Sequence, residues 1–225
     1  METTKSKAIV SNIANFYVGK NILITGATGE FVKLLIAFVL AIISFCNLLG
    51  FMGKVLVEKL LRDCSLLNCI FILVRSKKGV EACQRREEYV NHMVFDKIRN
   101  TQPEQLKKIR VVKGDVSVDG FGMDKKDEIE LIDNVNIVFH CAANVRFNLK
   151  LKEAINFNTR GTHRMLMLSE KMKNLLVFVY VSTAYCQCNE NVLEEKYYPA
   201  IENPYGLIEM ATFLKDDILD LITPK

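Results

Sequence analysis

Glycine and proline are scarce: eleven and four among 225 residues, of which half are hydrophobic and a quarter charged. That excludes a collagen-like or low-complexity chain and leaves a globular composition, long enough for one large core or for one domain and part of another. Long tracts of one charge are missing too. Lysine and arginine adjoin only in pairs, such as Lys77 with Lys78 and Arg85 with Arg86. A net charge of +4 spread in this way describes a solvated surface, and no nucleic-acid partner is expected. The seven cysteines lack metal-ligand or disulfide spacing. Cys186 and Cys188 are the one close pair, and His92, His140 and His163 stand far apart. No metal is expected; reduced thiols in a cytosol-facing protein are. The N-terminus has no apolar core of a secretion signal, and no internal repeat is visible.

What is present is an alternation of apolar runs with amphipathic stretches. The runs NILIT (21–25), CIFILV (69–74), IRVV (109–112), NIVFH (136–140) and LLVFVYV (175–181) predict five strands. Helical spacing predicts helices over 51–63, 81–99, 151–173 and 206–222. Continuous apolar strands are buried on both faces, as in a parallel sheet covered by helices. The expected fold is therefore α/β, a doubly wound, Rossmann-like parallel sheet. Residues 1–17 read as an N-terminal arm or short helix, and 18–225 as the domain.

Ligands of such sheets sit beyond the carboxyl ends of the strands. The first strand ends at TGATG, Thr25 to Gly29. Glycines there let the backbone turn tightly and approach a pyrophosphate, and the next helix aims free N–H groups at it. The pattern is then interrupted, because 30–50 is an apolar segment. Without it the chain reads TGATGFMGKV, a G-x-x-G-x-x-G built from Gly26, Gly29 and Gly53. Within and beside the segment, 34–52 reaches the length of a membrane span. Gly-Glu-Phe and Leu-Gly at its edges can be encoded as splice donor and acceptor sites, so a retained in-frame intron is one reading. A real insertion or membrane anchor is the other. A flexible insert costs about 3 kcal/mol in loop closure. A helix running from Gly29 through the segment would put Val32 where the third glycine belongs and leave Gly53 far away, so weakened cofactor binding is expected.

The stretches TGATG…FMGKVLVEKLLR, ILVRSKKG, KGDVS, VNIVFHCAANVRF, LKEAINFNTRGT and VFVYVSTAYC…EEKYYP carry a specific resemblance. Read without 30–50, the chain resembles the extended short-chain dehydrogenase/reductases and, within them, the alcohol-forming fatty acyl-CoA reductases. The resemblance implies reduction of a long-chain fatty acyl-CoA to a primary alcohol with NADPH, cytosol-facing and associated with a peroxisomal or endoplasmic reticulum membrane. It assigns cofactor contacts to Gly26, Thr28, Gly29 and Gly53, to Asp115 at the adenine, and to Ala142 and Ala143, whose small side chains let the cofactor approach. Arg75, after the second strand, suits a ribose 2′-phosphate and hence NADP; a solvated basic turn is the alternative. Asp115 could equally cap a turn. Thr183, with Ser182 second, aligns with the hydroxyl that bonds the substrate carbonyl oxygen; strand-end capping is the plain alternative. Asn158 is implied to order the site. His140, Cys141 and Thr162 read as packing residues.

The resemblance also implies a Tyr-x-x-x-Lys pair, in which the cation lowers the phenol pKa. None of Tyr17, Tyr89, Tyr180, Tyr185, Tyr197, Tyr198 and Tyr205 has lysine four residues on. The expectation is a cofactor-domain fragment with little activity alone. Two other readings stand beside the reductase: a catalytically dead NADP-binding module, and a single-pass membrane protein anchored by 34–52. Oligomeric state is not legible.

Overall fold

A computed structural model of the chain describes residues 12–28, 48–75, 82–144, 146, 148–183, 186–187, 190–200 and 202–223. Five parallel strands form one sheet in the order β3-β2-β1-β4-β5. They are β1 (Asn21–Thr25), β2 (Cys69–Val74), β3 (Ile109–Lys113), β4 (Ile137–His140) and β5 (Val177–Tyr180). The order reverses between β1 and β4, so a crevice opens there at the carboxyl ends of the strands, the switch point of a doubly wound sheet.

The period of two along each strand sorts its residues between two cores. Ile22, Ile24, Ile70, Ile72, Ile109 and Ile137 face one side and meet Val57, Leu60, Leu61, Phe95 and Ile98. Leu23, Phe71, Leu73, Val112 and Val138 face the other and meet Phe121, Leu131, Met165 and Leu168. Each fully buried aliphatic side chain contributes about 1.5–3 kcal/mol relative to exposure, which is why the runs read as strands at all. Helix α1 (Leu48–Asp63) and then α2 (Ala82–Val90) and α3 (Asp96–Thr101) cover the first core. Helix α4 (Lys125–Asn134) covers the second, followed by a long helix in three parts: α5 (Leu151–Ala154), a π turn (Ile155–Thr159) and α6 (Arg160–Glu170). Two shorter helices, α7 (Pro204–Phe213) and α8 (Asp216–Ile222), complete the described chain.

Several expectations are corrected. The single helix over 81–99 is broken because His92 turns extended, with ψ of 142°, and its side chain accepts the Val94 N–H to start a 3₁₀ turn. The helix over 206–222 is two helices. Leu214 and Lys215 are extended, and Asp216 and Asp217 restart the second, where negative charge suits a helix N-terminus. Helix α4 was not expected; Leu131 is its one fully buried apolar residue, too little to make a clear stripe. Strand β5 is not buried on both faces. It pairs with β4 at the sheet edge, and Val177 and Tyr180 are 37% and 47% exposed. Most of the span 34–52 lies outside the described residues, and 48–52 form the start of α1. Among the described residues no helix is long and apolar enough to cross a membrane.

One buried group works against the fold. Tyr89 packs on Phe95 with ring centroids 5.2 Å apart, and among the described residues its buried hydroxyl has no hydrogen-bond partner. An unsatisfied buried hydroxyl costs about 1–3 kcal/mol. Tyr89→Phe is therefore expected to leave stability unchanged or raise it by about 1 kcal/mol in urea unfolding. A loss of stability would show that the hydroxyl has a partner after all.

Candidate functional site

The carboxyl ends of the parallel strands lie along one side of the sheet, with the crevice between β1 and β4 flanked by β2 and β5. β1 terminates in Thr25, which is fully buried, and the chain turns at Gly26 with φ of +72°. A Cβ on Gly26 would lie 2.5 Å from the Cys141 carbonyl oxygen and 2.7 Å from the Ala142 nitrogen. The turn therefore crosses directly over the chain leaving β4, and only glycine fits. Ala27 is fully buried and Thr28 half-buried. Gly29 lies outside the described residues.

Gly53 is not far from this turn, as a helix running through the apolar segment would require. A Cβ there would meet the Ala27 Cα and the Gly26 carbonyl oxygen, both at 2.7 Å. Helix α1 thus packs against the β1 turn through the third glycine of the pattern, in spite of 30–50. The reason is that α1 begins late, at Leu48, and places Gly53 on its second turn. Sequence reasoning also missed Gly50, which stands three residues before Gly53 just as Gly29 does once the segment is removed. The first described turn of α1 is formed by residues 48–51.

Toward β2 and β3, Arg75 follows β2 and holds its guanidinium carbon 5.6 Å from the centre of the Phe157 ring. Gly114 and Asp115 follow β3. One carboxylate oxygen of Asp115 accepts from the Ser117 N–H at 2.8 Å and from the Ser117 hydroxyl at 2.7 Å. Asp115 thus caps its own turn, and its second oxygen makes neither of those bonds.

Toward β4 and β5, Ala142, Ala143 and Asn144 are half-buried. The Asn158 side chain clasps Asn144: its Oδ1 accepts the Asn144 N–H at 2.8 Å and its Nδ2 donates to the Asn144 carbonyl at 3.0 Å. Asn158 lies in the π turn, and so do its neighbours Asn156 and Phe157. Asn156 Nδ2 donates to the Ser117 carbonyl. Three successive residues of one π turn therefore reach the loops after β3, β2 and β4, a use of irregular helix often found at functional sites. Arg164 of α6 adds bonds to Asn156 and to the Val116 carbonyl. Neither the π turn nor Asn144, Phe157 and Asn156 could be picked out from spacing; the one signal present was the asparagines at 156 and 158 within the helical pattern.

Ser182 and Thr183 follow β5 and are exposed. The pair His140↔Tyr180 and the Val181 N–H to His140 carbonyl bond of 3.0 Å continue the parallel register. Ser182 and Thr183 thus leave β5 on the same side of the sheet as the residues that follow β4. His140 and Cys141 are buried. Burial pushes the imidazole down to about 4 and the thiol up to about 11, so both are neutral near pH 7.

The residues fit a nicotinamide dinucleotide. The glycine turn that a Cβ would fill, the helix N-terminus behind it and the small residues after β4 line one crevice. Asp115 and Arg75 border its other end. This is the architecture of a dinucleotide-binding domain of the doubly wound class. The chain belongs to the male sterility protein family of NAD-binding domains, whose profile matches residues 49–224. That match opens at residue 49, the second residue of α1 and near the end of the apolar segment. The chain is 41% identical over 214 residues to fatty acyl-CoA reductase 1 of Xenopus laevis, covering 95% of this chain and 38% of that protein. It is 37% identical over 214 residues to fatty acyl-CoA reductase 1 of Homo sapiens, with the same coverage of 95% and 38%. The chain thus spans 38% of the length of these curated relatives. Among solved structures it is similar to the terminal R domain from the myxalamid PKS-NRPS biosynthetic pathway. The TM-score is 0.53 at 23% identity, over 74% of this chain and 35% of that one. A thiolation-reductase di-domain from an archaeal non-ribosomal peptide synthetase gives 0.51 at 19% identity, over 90% and 38%. These likenesses show the fold.

Proposed function

We propose that the chain is the cofactor-binding part of an NADPH-dependent reductase of long-chain fatty acyl-CoA, forming fatty alcohol. The observation that carries this is the identity to proteins named fatty acyl-CoA reductases across 95% of the chain, on a site whose strand ends fit a dinucleotide. NADPH, bound twice in turn, would supply two hydrides to the acyl carbon, the first releasing CoA and leaving an aldehyde, the second reducing that aldehyde to the alcohol. The chain's own residues bind and orient. Gly26, Thr28, Gly29 and Gly53 shape the diphosphate turn, and the first turn of α1 aims N–H groups at the anion. Arg75, held at the end of β2, meets the ribose 2′-phosphate, which favours NADPH over NADH. Asp115 accepts from the adenine with its second oxygen. Ala142 and Ala143 leave room for the nicotinamide, and Asn158 holds that wall in place through Asn144. Thr183, with Ser182 beside it, donates a hydroxyl proton to the thioester oxygen as negative charge develops there.

No tyrosine in the chain has lysine four residues on, so these residues alone offer no tuned phenol as proton donor. The test follows from that. Fluorescence titration of the 225-residue chain is expected to show NADPH binding at least about tenfold tighter than NADH, the worth of one charged contact. NADPH oxidation with a long-chain acyl-CoA is expected to be negligible. A chimera in which this chain replaces the matching part of the Xenopus laevis relative is expected to restore acyl-CoA-dependent oxidation. Equal affinity for the two cofactors would overturn the NADPH assignment. A folded, NADPH-binding chimera that ignores acyl-CoA would overturn the substrate.

A further inference from the structure

His140 does more than pack. It is fully buried at the end of β4, stacked on Tyr180 with ring centroids 5.8 Å apart. Its Nδ1 lies 2.8 Å from the Thr25 hydroxyl and its Nε2 lies 3.2 Å from the Thr162 hydroxyl. Both hydroxyls are engaged elsewhere. Thr25 Oγ1 accepts the Ala142 N–H at 3.2 Å, and Thr162 Oγ1 donates to the Asn158 carbonyl at 2.7 Å.

These bonds determine where the protons are. Thr162 gives its proton to Asn158, so its oxygen must accept from His140, and the ring carries its proton on Nε2. Nδ1 is then a bare acceptor, and Thr25 donates to it while accepting from Ala142. In this arrangement every donor has an acceptor. In the other tautomer Nδ1–H and the Ala142 N–H would both point at the Thr25 oxygen, leaving the Thr25 proton without either partner. A protonated ring would have the same conflict at Nδ1 and would place a charge in a fully buried site.

The geometry points to His140 as a positioning residue. Held as the neutral Nε2–H tautomer, it locks the end of β1 and the Ala142 backbone to the Asn158–Asn144 clasp. One relay thus runs from Ala142 through Thr25, His140 and Thr162 to Asn158, and joins the turn beside the diphosphate to the wall beside the nicotinamide. The role at the cofactor rests on the cofactor reading proposed above; the relay itself does not. It is distinct from catalysis, since His140 touches none of the reacting atoms and has no exposed surface.

The experiment uses the full chain labelled with nitrogen-15. Long-range proton–nitrogen correlation spectra are expected to show His140 as the neutral Nε2–H form from about pH 5 to 8, the span in which a free imidazole titrates. Thr162→Val, close in shape, is expected to shift the backbone amide resonances of Ala142 and Asn144 and leave that of Gly114 in place. The same variant is expected to weaken NADPH about tenfold, the effect of one lost bond in a preorganised site, while adenosine 2′,5′-bisphosphate, which reaches only the Arg75 end, binds as before. A general loss of structure would weaken both probes alike and would overturn the inference. So would an Nδ1–H or protonated ring at pH 6, or a variant with unmoved Ala142 and Asn144 amides. If the unaltered chain binds neither probe, the cofactor reading fails, and the spectra still decide the relay.

Discussion

Gly26→Ala is expected to lower the stability of the domain by about 3–5 kcal/mol and to abolish NADPH binding. Two costs combine there. A left-handed φ of +72° costs an alanine about 1–2 kcal/mol. The new Cβ would also sit 2.5 Å from the Cys141 carbonyl oxygen, and overpacking of this kind costs about 1–3 kcal/mol even where neighbours can yield. Backbone at the end of β4 cannot yield without moving Ala142. Two other glycines separate the terms. Gly19 has φ of +66° but nothing within 4 Å of a Cβ, so Gly19→Ala is expected to lose only the strain, about 1–2 kcal/mol. Gly53 is helical, and a Cβ there meets Ala27 and Gly26 at 2.7 Å. Gly53→Ala suffers the overlap and gains back about 1 kcal/mol of helix propensity. It is therefore expected to cost less stability than Gly26→Ala but to weaken NADPH as strongly, because α1 is pushed off the turn. Thermal unfolding and cofactor titration of the three variants check the ordering. A stabilising Gly53→Ala would show that α1 does not rest on the turn, and would remove the basis for a diphosphate site at this position.

The parts of this molecule that were legible in its sequence are those where one local signal decides the outcome. β1 and β2 have the bounds expected of NILIT and CIFILV, because each run is closed by a residue that ends it, Gly26 and Arg75. Parallel strands and right-handed crossovers give a doubly wound sheet, but the order β3-β2-β1-β4-β5 is seen only in the structure. What was not legible depends on partners distant in sequence. Leu214 and Lys215 break a helix without glycine or proline, and the restart is helped by ion pairs from Lys152 to Asp216 and from Lys150 to Asp220, which join α8 to the start of the long helix. β5 is as apolar as β1, yet its exposure is set by its place at the edge. The same holds for the site. The residues at strand ends could be named from motif and resemblance, whereas the Asn144–Asn158 clasp and the His140 relay exist only after the π turn has been folded over the sheet. His140 and Thr162, which read as packing, are hydrogen-bonded end to end with Thr25.

Deleting residues 30–50 is expected to tighten NADPH binding by tenfold or more and to raise the melting temperature. The deletion joins Gly29 to Phe51 and leaves the glycine spacing unchanged, since Gly29 then precedes Gly53 by three residues as Gly50 does now. What changes is the connection. At present the turn at Gly26 and the described start of α1 are separated in sequence by the apolar stretch, and α1, whose N-terminal N–H groups are the donors proposed above, meets the turn through packing at Gly53. After deletion the turn runs straight into the helix. The donors are then fixed relative to Gly26 by covalent bonds, and less conformational freedom is lost when an anion is clamped. A connection between β1 and α1 shorter by the residues 30–50 also costs less entropy to close, by about 3 kcal/mol, and the chain loses an apolar stretch. Gly53 already sits where the shortened chain needs it, so α1 need not move along its axis. Isothermal titration and thermal unfolding of the two proteins side by side test this. Equal or weaker affinity in the shortened chain would mean that 30–50 contributes to the cofactor site, and the glycine pattern reassembled across the segment would not be its working form.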